Sequence, residues 1–154
     1  MESFFPTRSG RRIVFSTLLC LFVLGCATPD SSSNDCRKTV NGSSLAGHMA
    51  SMEVHLNRLF RQVGNGTIDE LTEREASSLL ALQKESVAIV PEAWCDLPQA
   101  ERATVLAQYR LRALSMVGLL ETFLVHLRNR DLDQATEWLE KIDRQRRECH
   151  VRFG

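Results

Sequence analysis

Residues 96–131 read DLPQAERATVLAQYRLRALSMVGLLETFLVHLRNRD, and this stretch decides the fold. Leu106, Ala113, Val117, Leu120, Leu124 and Leu127 recur in it at steps of seven, four and three, the narrow apolar stripe of a helix that buries a seam along its whole length. Asp96-Leu97-Pro98-Gln99 opens it with a capping aspartate and a proline in the first turn, and Asn129 to Asp131 breaks it. No strand alternation and no internal repeat accompanies it, so the expected class is all-α.

Working outward, Asp131 and Gln134 are spaced as cap and N3, and Ala135, Trp138, Leu139, Ile142 and Cys149 carry the core face of a last helix. On the N-terminal side, Thr67-Ile68-Asp69-Glu70 has the form of a capping box. It predicts a helix from there to about Val90, with Leu71, Leu79, Leu82 and Ile89 inward and Pro91 as its stop. Before it, Met49, Met52, Leu56, Leu59, Phe60 and Val63 share one side of a first helix that Gly64-Asn65-Gly66 ends. Connections this short require antiparallel neighbours, hence an up-down-up-down four-helix bundle over residues 45–154.

In that topology the start of the first helix, the 91–96 loop and the end of the fourth share one end, which brings Met52, Cys95 and His150 together. At about 100° per residue, His150 lies three turns beyond Leu139 and within about 20° of its direction, so its imidazole points partly inward. A thioether and an imidazole at one end of a bundle core can clamp a haem iron from opposite faces. Each residue also has a plainer reading. A histidine near a helix C-terminus complements the helix dipole in solvent, and methionines on an apolar face fill gaps in a core.

Over residues 52–153 the chain resembles the cytochrome b562 family. The fourth helix carries Ala135, Glu140, Ile142, Arg146, His150 and Phe153 at the family's positions; Tyr109-Arg110 and Val117-Gly118 match an aromatic-Arg pair and a Val-Gly pair; Met52-Glu53 matches the ligand methionine and the glutamate after it. The resemblance implies a periplasmic bundle holding non-covalent haem b, with Met52 and His150 as axial metal ligands and Gly118 suited to close approach by a flat ligand. Ala113 stands where the family often packs a phenylalanine on the porphyrin, and Gly154 where it ends in an arginine that meets a propionate, a task that Arg146 or Arg152 would have to take over. Cys149-His150 is also the second half of a C-x-x-C-H attachment signature, with Arg146 in place of the first cysteine. A single thioether through Cys149 is one expectation; a small buried residue, or a disulfide with Cys36 or Cys95, is the other.

Residues 1–25 read as a lipoprotein signal peptide, because Arg8, Arg11 and Arg12 precede an apolar run too short to span a bilayer. Val23-Leu24-Gly25-Cys26 resembles a lipoprotein box, in which the Cys26 thiol takes up the lipid, and Ala27 after it favours the outer membrane facing the periplasm. Residues 26–44 are polar and rich in Ser, Asn and Asp, a flexible tether. With 19 basic and 19 acidic side chains, the balance gives nucleic acid no bulk electrostatic attraction.

The function expected is one-electron carriage by a haem-binding protein at the periplasmic membrane surface, serving periplasmic redox partners and doing no catalysis. His126 lies off the third helix's stripe, and no nucleophile, base and acid are grouped. Two other classes stay open. His48, Met52 and His55 at i, i+4 and i+7 suit copper, and the same heptads would serve a haem-free helical lipoprotein acting as an adaptor or periplasmic chaperone. Leu71-Thr72-Glu73-Arg74-Glu75 loosely resembles the short Leu-Thr motif of stress-induced periplasmic chaperones.

Overall fold

A computed structural model describes residues 44–153, and within them the helices follow from their caps. The leader, the lipidation site Cys26, the tether to residue 43, with Cys36 in it, and Gly154 lie outside the described residues. Ser44 starts α1 (Leu45–Gly64), its hydroxyl accepting from the Gly47 N–H at 3.2 Å. Asn65 closes the helix, and Gly66, at φ 73°, supplies the left-handed residue that turns the chain.

The second helix starts two residues later than the Thr67 box predicts. Asp69 is the cap of α2 (Glu70–Ser86), its carboxylate accepting from the Thr72 N–H at 2.9 Å while the Thr72 hydroxyl reaches back to the Asp69 N–H. Leu71 faces outward, 46% exposed, while Leu79 is buried as expected and Thr72, Glu75 and Ala76 are buried beside it. α2 also stops at Ser86, short of Val90. The Ser86 hydroxyl donates to the Gln83 carbonyl at 2.7 Å, and its own carbonyl accepts from the Tyr109 hydroxyl, so local bonds replace the next helical turn.

A 3-10 turn at Glu92–Trp94 follows, and α3 (Gln99–Arg128) begins behind Pro98 with no side-chain cap, so Asp96 does not play the part its position suggested. The short break before α4 (Leu132–Phe153) behaves as its spacing predicted, with the Asp131 carboxylate accepting from the Gln134 N–H at 3.1 Å. Arg130 there takes φ 58°, and its guanidinium donates to the Ile68 carbonyl at 2.7 Å and pairs with Glu73 at 3.1 Å. Those two bonds offset a left-handed conformation that an arginine otherwise avoids.

Among the described residues the structure is all-α. α1 packs on α2, α2 on α3, α3 on α4, and α4 returns more sparsely to α1. The side-chain bonds between neighbours run with one residue number rising as the other falls: His48 to Glu85 and His55 to Glu75, Gln108 to Arg152 and Ser115 to Gln145. Phe123, Leu59, Leu120, Leu127 and Ile142 are the largest apolar side chains lost from solvent, each worth roughly 2 to 3 kcal/mol by burial. No described helix is long and apolar enough to cross a membrane.

Candidate functional site

The core is not filled evenly along its length. Where α1 and α4 meet sparsely, the four helices leave a cleft of about 130 Å³ that opens to solvent. Leu56, Leu79, Ala113, Met116, Leu120 and Ile142 form its apolar floor. Met49 and Met52 line it from α1, and Arg146, Cys149, His150 and Phe153 from α4. The proposed ligand pair, separated by most of the chain, therefore faces one space. Met52 is half-buried against the core, whereas His150 is exposed. The sequence reading had the imidazole partly inward; it lines the cleft at the mouth instead, and neither it nor Met52 makes a hydrogen bond among the described residues.

Tyr109 and Phe153 line one side, and Trp94 packs on both of them. Trp94, Tyr109 and Phe153 meet edge to face, with centroids 5.5 to 6.0 Å apart, and the Tyr109 hydroxyl donates to the Ser86 carbonyl at 3.1 Å. Burial holds the Tyr109 hydroxyl above its ordinary pKa, so it stays a neutral donor.

Arg146 spans the gap between the helices. Its guanidinium donates to Glu53 on α1 at 2.9 Å and to Asp143 on its own helix at 2.9 and 3.1 Å. It is thus already committed to two carboxylates. Arg152 likewise donates to Gln108 at 2.9 Å. The cation left over carries no signal in the sequence: Arg112 of α3 lines the cleft, and its guanidinium has no carboxylate or hydrogen-bond partner among the described residues.

Cys149 is a free, half-buried thiol on the cleft wall, so the disulfide expectation for it is not the one realised. Cys95 is the disulfide-bonded cysteine, with its partner outside the described residues. Burial raises the Cys149 thiol, Glu148 adds to the rise, and the Arg112 charge opposes it. Gly118 overturns a second expectation. It is exposed, takes no part in the cleft, and a Cβ placed on it would meet nothing within 4 Å.

The copper arrangement fares differently. His48 is buried with Nε2 against Glu85 at 2.9 Å and Nδ1 against the Ser44 carbonyl at 3.3 Å, and His55 Nδ1 is held by Glu75, which Arg58 also reaches at 3.0 Å. Both imidazoles tie α1 to its neighbours. Among the described residues no three His, Cys, Asp or Glu side chains converge as a metal-binding group.

The donor set suits a planar metallocycle. A soft thioether and an imidazole face one apolar space, and among the described residues the buried side-chain polar atoms without partners, Gln62 Oε1 and Trp138 Nε1, belong to residues outside the cleft lining. A flat ligand larger than the cleft must project through the mouth, past His150 and Arg112. Compared with protein-family models, with characterised proteins and with solved structures, the chain matches none.

Proposed function

We propose that the protein is a b-type cytochrome of the cytochrome b562 kind, an antiparallel up-down-up-down bundle that carries single electrons and is not an enzyme. One observation carries the reading: Met52 and His150, from the first and last helices, line the same apolar cleft. The Met52 sulfur and the His150 imidazole are the residues that would hold the iron of haem b. When bound, that group would supply a one-electron couple, which a sulfur donor such as Met52 would tend to raise in potential.

The chain's own residues do the rest. The apolar floor would exclude water from one edge of the ligand, and Tyr109 and Phe153 would wall one side. Arg112 would meet an acidic edge of the ligand at the mouth, while Arg146, bound to Glu53, braces α4 against α1. His150, with no partner to lose, is free to turn from the mouth toward the cleft. With the Met52 sulfur and the His150 imidazole both holding it, the group would supply electron transfer and not dioxygen chemistry.

Cys26 would carry the lipid that anchors the bundle to the periplasmic face of the outer membrane, where its partners are other redox proteins. The disulfide at Cys95 suits that oxidising compartment. The test is optical. Protein purified from a haem-sufficient periplasm is expected to show a Soret band and, after dithionite, a sharp α-band, and Met52→Ala or His150→Ala to convert it to a high-spin spectrum. A colourless protein that also fails to take up added haemin ends the proposal.

A further inference from the structure

The third helix has a second apolar face, on the side away from the core. Thr104, Ala107, Leu111, Leu114, Gly118 and Val125 recur there at steps of three, four and seven, and all are exposed. Leu111 is 69%, Leu114 56% and Val125 51% open to solvent. A repeat of 3.5 residues over about 30 Å is the spacing that a neighbouring helix reads, not the spacing of an isolated surface.

From this face we infer that α3 packs antiparallel against α3 of a second copy, with Leu114 beside the twofold axis. Three observations select that occupant. First, this register lays Leu111 of one copy over Gly118 of the other, and Thr104 over Val125, so a large residue meets a small one. Second, Gly118 weakens the helix by about 1 kcal/mol relative to alanine, yet among the described residues nothing approaches it closely. A backbone left bare for close approach needs a neighbour that residues 44–153 do not provide.

Third, the flanking charges match end for end. Glu121 stands on the seam step between Gly118 and Val125, and Arg110 lies within about 20° of it, toward one flank. A twofold axis across the helices brings each flank against itself in reverse, so Arg110 of one copy comes alongside Glu121 of the other, twice over. A parallel pairing puts the two copies of this flank on opposite sides of the seam, where Arg110 and Glu121 do not meet. Arg110 has no partner among the described residues, and Glu121 holds only an exposed bond to Lys84 at 2.8 Å. None of the seam residues lines the cleft, so the pairing leaves the proposed haem site free.

The experiment uses the full chain in mild detergent, with Cys149→Ser as the common background. Sedimentation is expected to give the mass of two copies, falling to one for Leu111→Glu/Leu114→Glu, whose sites are exposed and whose helicity should be unchanged. Leu114→Cys is expected to form a disulfide-linked dimer on oxidation. Leu111→Cys is not, because its two copies sit about 10 Å apart along the seam, beyond disulfide reach. A one-copy mass for the background chain, the result if the face docks on a different protein or on lipid, overturns the inference. So does self-linkage of Leu111→Cys as efficient as that of Leu114→Cys.

Discussion

His150→Ala separates a ligand from a structural residue, because the structure gives the imidazole nothing to do in the empty protein. Its side chain is exposed and has no hydrogen bond or ion pair among the described residues. Removing it should therefore change the stability of the haem-free chain by no more than about 0.5 kcal/mol. The loaded chain behaves differently. Haem at about 100 times its dissociation constant stabilises the folded state by about 2.7 kcal/mol through mass action. If loss of one axial ligand weakens binding about 100-fold, the same haem concentration adds only about 0.4 kcal/mol. For a domain of this size 1 kcal/mol moves the melting temperature by about 4 °C, so haemin should raise the unaltered protein by about 10 °C and the variant by about 2 °C.

The assay is thermal melting by helical ellipticity, with and without haemin, on the reduced and the oxidised protein. Two results refute the reasoning. An equal haemin shift in both proteins means that the imidazole does not hold the iron. A loss of more than about 1 kcal/mol in the haem-free variant means that His150 has a packing role that its exposure does not reveal.

Arg146→Ala should cost the haem-free protein about 1 kcal/mol and open the mouth of the cleft, since its partner Glu53 is nearly half exposed and the pair is screened by solvent. Urea midpoints at low and high salt should show the loss shrinking with salt; a salt-independent loss of about 3 kcal/mol would instead describe a dry ion pair. Glu75 gives a pH signature. Burial raises its pKa, but the bonds from His55 and Arg58 outweigh this and hold it below the ordinary 4.5. The folded state thus binds fewer protons than the unfolded between the two values, so the stabilisation is present above 4.5 and is lost as pH falls through the lowered folded value. Glu75→Gln should destabilise by about 2 kcal/mol near neutrality, and the gap to the unaltered protein should narrow in acid; denaturation curves showing a constant gap down to strongly acid pH would remove the charge from the explanation.

What the sequence shows of this fold depends on how many faces each helix has. α1 and α4 have one apolar side each, and the predicted Leu56, Leu59, Val63, Ala135, Leu139 and Ile142 are all buried. α3 has two, so the stripe through Val117 and Leu106 was placed slightly to one side of the true core line, which runs through Tyr109, Met116 and Phe123. α2 was shifted because Thr67 and Asp69 are both good caps, and only Asp69 finds a reciprocal partner, in Thr72. Glu75 shows why a register can hide: a carboxylate is buried on α2 only because His55 and Arg58 of α1 reach it, and no pattern within α2 announces them. In the site, Met52, Arg146, Cys149 and His150 were legible from their places on terminal helices. Arg112 was not, because what marks it is the lack of a partner that only the assembled helices reveal.

The two ends of the four-helix array are built to different standards, and this bears on function more than any single contact does. At the turn between α1 and α2, Leu132 lies where a Cβ on Gly66 would touch it, Arg130 ties the α3–α4 break to Ile68 and Glu73, and Leu59, Val63, Phe123, Leu127 and Ala135 are sealed beneath. At the other end, α1 and α4 are bridged by Arg146 and Glu53 across half-buried Met49, Met52 and Cys149. Local opening follows the poorer packing, so amide exchange in the haem-free protein should be fastest in the first turns of α1 and the last turns of α4. A ligand held by one residue from each helix joins the two segments that are least joined by protein. Haem should then slow exchange at those two segments and leave the already protected middle of α3 unchanged, whereas a ligand bound on the outer surface would protect neither.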